Sequence, residues 1–170
     1  MRVLLVDVPQ PLRTALAAEL GRHHEVREFA GDVLDAERCT AHAAVDVVVQ
    51  GRLDIADGSA HIEHATRGTW NVLTTTRAER YVQLSSLRHF AAYDPRWVID
   101  ERWAPRPTTD PADLALYLAE LTSREICRAR PIQTCVLRLD EAGGLSTDEA
   151  VRAIVSEVEA TDWPTGAEGG

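Results

Sequence analysis

Two hydrophobic rhythms alternate along the chain, one suited to buried strands and one to helices packed by a single face. Arg2 to Asp7 reads RVLLVD, a short apolar run of the kind seen in a strand buried on both faces of a parallel sheet. Pro9-Gln10-Pro11 then opens a helical pattern with Leu12, Leu16 and Leu20 on one face and Gly21 as its stop. Glu25 to Ala30 reads as a second strand, and the turn from Gly31 to Asp35 leads into a short helix over 36–43. Val45 to Val49 is a third strand, and the polar, glycine-containing segment 51–58 is a loop. A longer helix follows over 59–78, with Ile62, Trp70 and Leu73 among its apolar positions. Tyr81 to Leu84 is a strand that runs into Ser85-Ser86.

The second half continues the alternation. Residues 91–110 carry Pro95, Pro105 and Pro107 and read as an irregular loop. Pro111 to Ala129 is a strong helix with Leu114, Leu118, Leu121 and Cys127 close to helical spacing. Pro131 to Leu139 is another strand, and 146–160 another helix, capped by Ser146 with Glu149 three residues on. Strands alternating with helices imply βαβ units and a doubly wound parallel sheet in a three-layer αβα sandwich. The expectation is one domain over residues 1–164 with a flexible tail at 165–170, and no internal repeat.

Composition narrows the partners. The formal net charge of −9 opposes a nucleic-acid backbone. No apolar run approaches the ~20 residues of a membrane span, so a cytoplasmic location is expected. All 18 basic residues are arginine; the chain has no lysine. Cys39, Cys127 and Cys135 lack metal-type spacing and read as reduced, mostly buried thiols. His61 and His64 stand three apart on a helix, but without a third ligand no metal site is expected. Ser85-Ser86 with His89 suggests a nucleophile and base, yet no Gly-x-Ser-x-Gly elbow accompanies them. Trp97 and Trp103 are placed to cover a cleft or a partner surface.

The order of motifs resembles the NAD-dependent epimerase/dehydratase family, the extended short-chain dehydrogenases. MRVLLVD is similar to that family's opening strand, RGTWNVLTTTRA (67–78) to its fourth-helix signature, and YVQLSSLRHF (81–90) to the strand that carries its catalytic Ser or Thr. ADLALYLAELTSREICRARPIQTCVLRL (112–139) resembles its catalytic helix and next strand, and STDEAVRAIVSEVEA a late helix. The resemblance implies a Rossmann-like fold whose substrate domain is largely missing, because little lies between Leu139 and the last helix.

It also implies a site, and this chain departs from it. The glycine-rich turn that takes the dinucleotide pyrophosphate reads Asp7-Val8-Pro9-Gln10-Pro11-Leu12-Arg13, without a glycine. Pro9 and Pro11 each remove a backbone donor, and Asp7 brings a carboxylate toward a dianionic ligand. Arg13 offsets part of that charge, and Asp32-Val33 matches the pair that contacts adenine in the family. The family's Tyr acid/base needs a Lys one helical turn on. One register places Leu116 and Glu120 at those positions; a shift by one gives Tyr117 and Leu121, with Arg124 two turns beyond Tyr117. Ser86 keeps its place by register with Phe90, whereas Ala65 replaces an expected Asn. Catalytic candidates are therefore Ser86 and Tyr117, and cofactor-binding candidates Arg13, Asp32 and Val33. The resulting expectation is a scaffold without conventional redox catalysis that needs no cofactor and acts as a binding or regulatory module. The alternative is an NAD(P)- or nucleotide-sugar-binding enzyme with a reworked site. A homodimer through helices 59–78 and 111–129 is expected if Leu116 and Ile62 face outward.

Overall fold

The computed structural model describes residues 1–51, 58–100, 102–140 and 144–161. Five parallel strands, β1 (Arg2–Val6), β2 (Glu25–Glu28), β3 (Val47–Gln50), β4 (Arg80–Ser86) and β5 (Gln133–Leu139), form one sheet in the order β2-β1-β3-β4-β5. The chain leaves β1 toward β2 and then returns to β3 on the other side. The carboxyl ends of β1 and β3 consequently flank the switch point at which open α/β sheets bind ligands.

Helices cover both faces. On one, α1 (Leu12–Leu20) and α6 (Thr147–Glu159) bury Leu16, Leu20, Ile154 and Val158 against Val3, Leu5, Val49 and Val82. On the other, α2 (Ala36–Thr40), α4 (Thr69–Thr75) and α5 (Pro111–Ala129) pack Cys39, Val72, Leu73 and Ile126 onto Leu4, Val6, Val48 and Tyr81. The predicted three-layer sandwich is what forms. Ser146 caps α6 and Glu149 returns the bond to the Ser146 backbone, so the predicted capping box is present. The edge strand β2 exposes Glu25 and Glu28, charges that blunt pairing with another chain. Among the described residues no helix is long and apolar enough to cross a membrane. The loop expected over 51–58 and the tail at 165–170 fall largely or wholly outside the described residues.

Two helices differ from expectation. The helix predicted over 59–78 is α3 (Gly58–Glu63), a π-helical turn (His64–Gly68) and then α4. Gly68 explains why this segment comes so close to the β2–α2 connection. A Cβ there would lie 2.5 Å from Val33 Cγ2, so only glycine permits the approach. In α5 the bounds agree, but the buried face does not. Leu114, Leu118 and Leu121 are only half-buried, whereas Asp113, Leu116, Glu120, Ser123 and Cys127 point inward. The apolar stripe misled because the inward face of this helix is built from charges that find partners inside. Leu116 thus faces the interior and not a partner subunit.

The Gly68–Val33 contact makes a direct prediction. Gly68→Ala gains up to about 1 kcal/mol of helix propensity but meets an overpacking cost of about 1–3 kcal/mol. Urea unfolding is expected to show a net loss, and Val33→Ala in the same chain to recover most of it. Unchanged or raised stability in Gly68→Ala would contradict the packing account.

Candidate functional site

The switch-point crevice is built by the turn between β1 and α1. Asp7 adopts a left-handed conformation (φ 50°), which aspartate tolerates better than most residues. Gly51, just past β3, packs on this turn; a Cβ there would stand 2.7 Å from the Asp7 carbonyl oxygen. The Asp7 carboxyl is thereby enclosed. Burial pushes its pKa up to about 6, His64 opposing the rise and the Asp32 charge adding to it. Proline occupies both positions 9 and 11, and the Arg13 amide is spent on the Pro9 carbonyl at 3.0 Å. Backbone donors at this turn are therefore few, and the nearest side chain is an acid.

The three cofactor-binding candidates separate. Arg13 pairs with Glu28 at the end of β2 (3.4 Å). Asp32 accepts the Leu34 amide at 2.9 Å and stands 3.5 Å from His64 Nε2, which makes it a turn residue beside a histidine. Val33 is buried under Gly68, and its carbonyl accepts from Asn71 Nδ2 at 2.9 Å. Asp7, His61 and His64 line one small crevice with Gln50 and Thr69. No group of three metal-type side chains gathers among the described residues.

At the end of β4 the chain turns through a 3₁₀ segment (Leu87–Phe90). Ser86 is fully buried and accepts the Arg88 amide at 3.2 Å, capping that turn. The dominant feature joins Glu120 and His89, which the sequence motifs named in other roles, to Arg138, which they did not. Glu120, on the inward face of α5, accepts a two-pronged hydrogen bond from Arg138 of β5, with Nε to Oε1 at 3.0 Å and Nη2 to Oε2 at 2.7 Å. His89 is completely buried between two acids, 3.3 Å from Asp113 Oδ1 and 3.5 Å from Glu120 Oε1. Burial alone would raise the Glu120 pKa, but His89, Arg138 and Ser85 outweigh it and hold the carboxyl at about 2. A folded value below the ordinary 4.5 means stability present above pH 4.5 and lost as pH falls toward 2.

Tyr117 is half-buried, its ring edge-on to His89 with centroids 6.0 Å apart. It opens on a cavity of about 190 Å³ with Pro105, Glu120, Arg124 and Arg138. Arg124 is mostly exposed and faces Glu125 at 3.6 Å, so it supplies Tyr117 with no buried cation. Ser86 thus caps the turn that leads to His89, and Tyr117 meets the His89 ring edge-on. The Cys39 and Cys127 thiols are pushed up to about 11 and Cys135 to about 12 by burial, which leaves them poor nucleophiles.

The 91–110 loop contains a short repeat that contradicts the expectation of none. Asp94-Pro95-Arg96-Trp97 and Asp100-Glu101-Arg102-Trp103 share the pattern Asp-x-Arg-Trp. In both copies the Trp amide bonds to the Asp carbonyl (3.0 and 3.1 Å), and the Arg closes a two-pronged pair on the Asp carboxylate. The two indoles meet with centroids 5.5 Å apart, and Tyr93 packs edge-on against Trp103. The loop is fastened where Arg106 N reaches the His89 carbonyl (2.7 Å) and Thr108 N reaches Asp113 (2.6 Å). The repeat was visible in the sequence; its length of four residues hid it.

Asp7 gives a pH-dependent test. The gap between 3.8 and about 6 is worth about 3 kcal/mol as an upper bound. Its folded pKa is raised, so the favourable contribution holds below pH 3.8 and disappears as pH rises through 6. Asp7→Asn, which keeps the left-handed turn, is expected to gain about 1–3 kcal/mol at pH 7 and nothing at acidic pH. Denaturant titrations at pH 3.5 and 7 check this; an equal effect at both pH values would contradict it.

No protein-family model matches the chain, and no curated protein matches it by sequence. Solved structures do match. MoeE5 in complex with UDP-glucuronic acid and NAD superposes with a TM-score of 0.76 at 16% identity, over 95% of this chain and 73% of the other. RMD from Pseudomonas aeruginosa complexed with NADPH gives 0.69 at 16% identity, over 81% and 53%. A short-chain dehydrogenase/reductase superfamily protein from Agrobacterium tumefaciens with bound NAD gives 0.65 at 18% identity, over 81% and 48%. The chain spans about half the length of the last two structures. Its fold is the one that these structures share, the short-chain dehydrogenase/reductase superfamily protein among them.

Proposed function

We propose that this chain is a non-redox derivative of that fold, acting as a binding or regulatory module whose cleft takes a small molecule. One observation carries the reading. In neither register that the resemblance allows does a cation stand one turn after the acid/base position: one gives Leu116 and Glu120, the other Tyr117 and Leu121, and Glu120 is taken up by Arg138 and His89. A carboxylate held near 2 neither lowers a tyrosine pKa nor donates a proton at neutral pH. The β1–α1 turn points the same way, because a buried acid and two prolines stand where a pyrophosphate needs amides.

A second reading keeps an enzyme with reworked chemistry on a nucleotide or nucleotide-sugar. The edge-on contact between Tyr117 and His89, beside a cavity, favours it. Ser86→Ala and Tyr117→Phe would then abolish an activity without unfolding the protein. For assembly we propose a homodimer through α4 and α5. The half-buried Leu114, Leu118 and Leu121 and the exposed Trp70 support an apolar contact surface.

Titration with NAD, NADH, NADP and NADPH tests the main reading. A ligand at a hundred times its Kd adds about 2.7 kcal/mol of stability, easily seen by thermal unfolding. No shift and no calorimetric heat at millimolar concentrations are expected. Saturable binding of any of the four would overturn the non-redox reading and support the enzyme.

A further inference from the structure

We propose that the open edge of β5 is an interface for a second copy of this chain, the two β5 strands pairing antiparallel about a two-fold axis at Val136. The inference goes beyond the α4–α5 contact proposed above and does not depend on it.

The two edges of the sheet are unlike. β2 is short, and Glu25, Arg27 and Glu28 set charges along it. β5 runs for seven residues, Gln133-Thr134-Cys135-Val136-Leu137-Arg138-Leu139, with no proline and a single charge. It pairs with β4 alone. Every residue of β5 stays partly exposed, whereas every residue of β3, inside the sheet, is buried. A long, mostly apolar edge is a template for a further strand.

The backbone shows which groups stand open. The Gln133 amide donates to the Glu79 carbonyl at 2.9 Å, so Gln133 bonds toward β4. Alternate residues of a parallel strand turn their backbone groups to opposite sides. Thr134, Val136 and Arg138 therefore aim their amides and carbonyls away from β4. None of the three has a backbone partner on that side among the described residues.

Self-pairing satisfies these groups in one register. Opposed residues of an antiparallel hydrogen-bonded pair exchange both of their bonds. When Val136 faces Val136 of the second copy, Thr134 faces Arg138 of the second copy and Arg138 faces its Thr134. All three outward amides and carbonyls of each strand are then bonded. A two-fold at Arg138 would oppose two arginines, a destabilising pair, and one at Thr134 would leave the Arg138 amide without a partner. On the α6 side of the sheet the Val136 register sets Cys135 beside Leu137 of the second copy, both of them partly buried apolar residues.

Charge and space agree with this occupant. The guanidinium of Arg138 is already paired with Glu120 at 2.7 Å, so closing the edge buries no unpaired cation. On the α5 side, Thr134, Val136 and Arg138 line a cavity of about 190 Å³ with Pro105, Tyr117 and Arg124. That cavity gives room beside the strand for the side chains that a second copy brings to the same face. A two-fold contact needs only a surface that complements itself, and this edge does.

Sedimentation of the full chain over a concentration series is expected to show a reversible dimer. Thr134→Glu sets a carboxylate opposite Arg138 of the second copy and should tighten the dimer; Thr134→Arg opposes two cations and should weaken it. Two symmetry-related pairs change together, so each shift is expected to be about two- to thirtyfold in dissociation constant. Val136→Cys in a Cys135→Ala background should form a disulfide-linked dimer on mild oxidation. In the proposed register residue 136 faces itself at about 5.5 Å between Cα atoms, within disulfide reach. Where that variant fails to fold, by circular dichroism, the two Thr134 variants decide alone. A monomer even at millimolar concentration, a folded Val136→Cys chain that does not cross-link, or Thr134 variants that shift the dimer in the same direction would each overturn the proposal. A dimer abolished by Trp70→Glu with neither signal belongs to the α4–α5 surface and overturns this proposal alone. Cross-linking at 136 with a dimer indifferent to Trp70→Glu supports this edge and counts against the α4–α5 contact alone.

Discussion

The carboxyl-terminal end of the sheet depends on one buried ion pair, between Glu120 of α5 and Arg138 of β5. Two charges cannot be taken out of water cheaply, and their attraction repays the cost only with near-ideal geometry and further hydrogen bonds. The geometry here is two-pronged, and a buried imidazole stands beside it. The guanidinium grips both carboxylate oxygens, and His89 fills the space beside Glu120. His89 in turn abuts Asp113, which takes the Thr108 amide and fastens the end of the long loop. One network thereby joins the ends of β4 and β5, the first half of α5 and the loop that crosses them.

The network also fixes what the cleft can be. Holding Glu120 inward fixes the rotation of α5, which sets Leu116 into the cavities beside the switch point. The position that the resemblance assigns to an acid/base is thus an apolar wall, and the position it assigns to a cation is an anion already paired. On the other side of the cleft, Gly51 presses on the turn that holds Asp7 in a left-handed conformation.

Much of the fold was legible because its signals are local. Apolar or alternating stretches located every strand, and Ser146 with Glu149 located a helix start without reference to anything distant. The inward face of α5 was not legible. Its hydrophobic positions favour Leu114, Leu118 and Leu121, and only partners 18 and 31 residues away in sequence make Glu120 an interior residue. The break in the 58–75 helix was hidden for a similar reason, since Gly68 meets Val33 across the layer. Of the candidate site, the defects were readable as absences: no lysine, no glycine in the first turn. What replaced them, a carboxylate–guanidinium–imidazole cluster, requires knowing which strand ends are neighbours.

The most direct test of this account is a double-mutant cycle on the central pair. Stability to urea would be measured for the parent chain, Glu120→Gln, Arg138→Gln and the double variant. Each single change leaves a buried charge unpaired and is expected to cost about 3–5 kcal/mol, while the double change costs much less than the sum, with a coupling of about 2 kcal/mol or more. Additive costs, within about 0.5 kcal/mol, would show that the pair does not organise this end of the sheet.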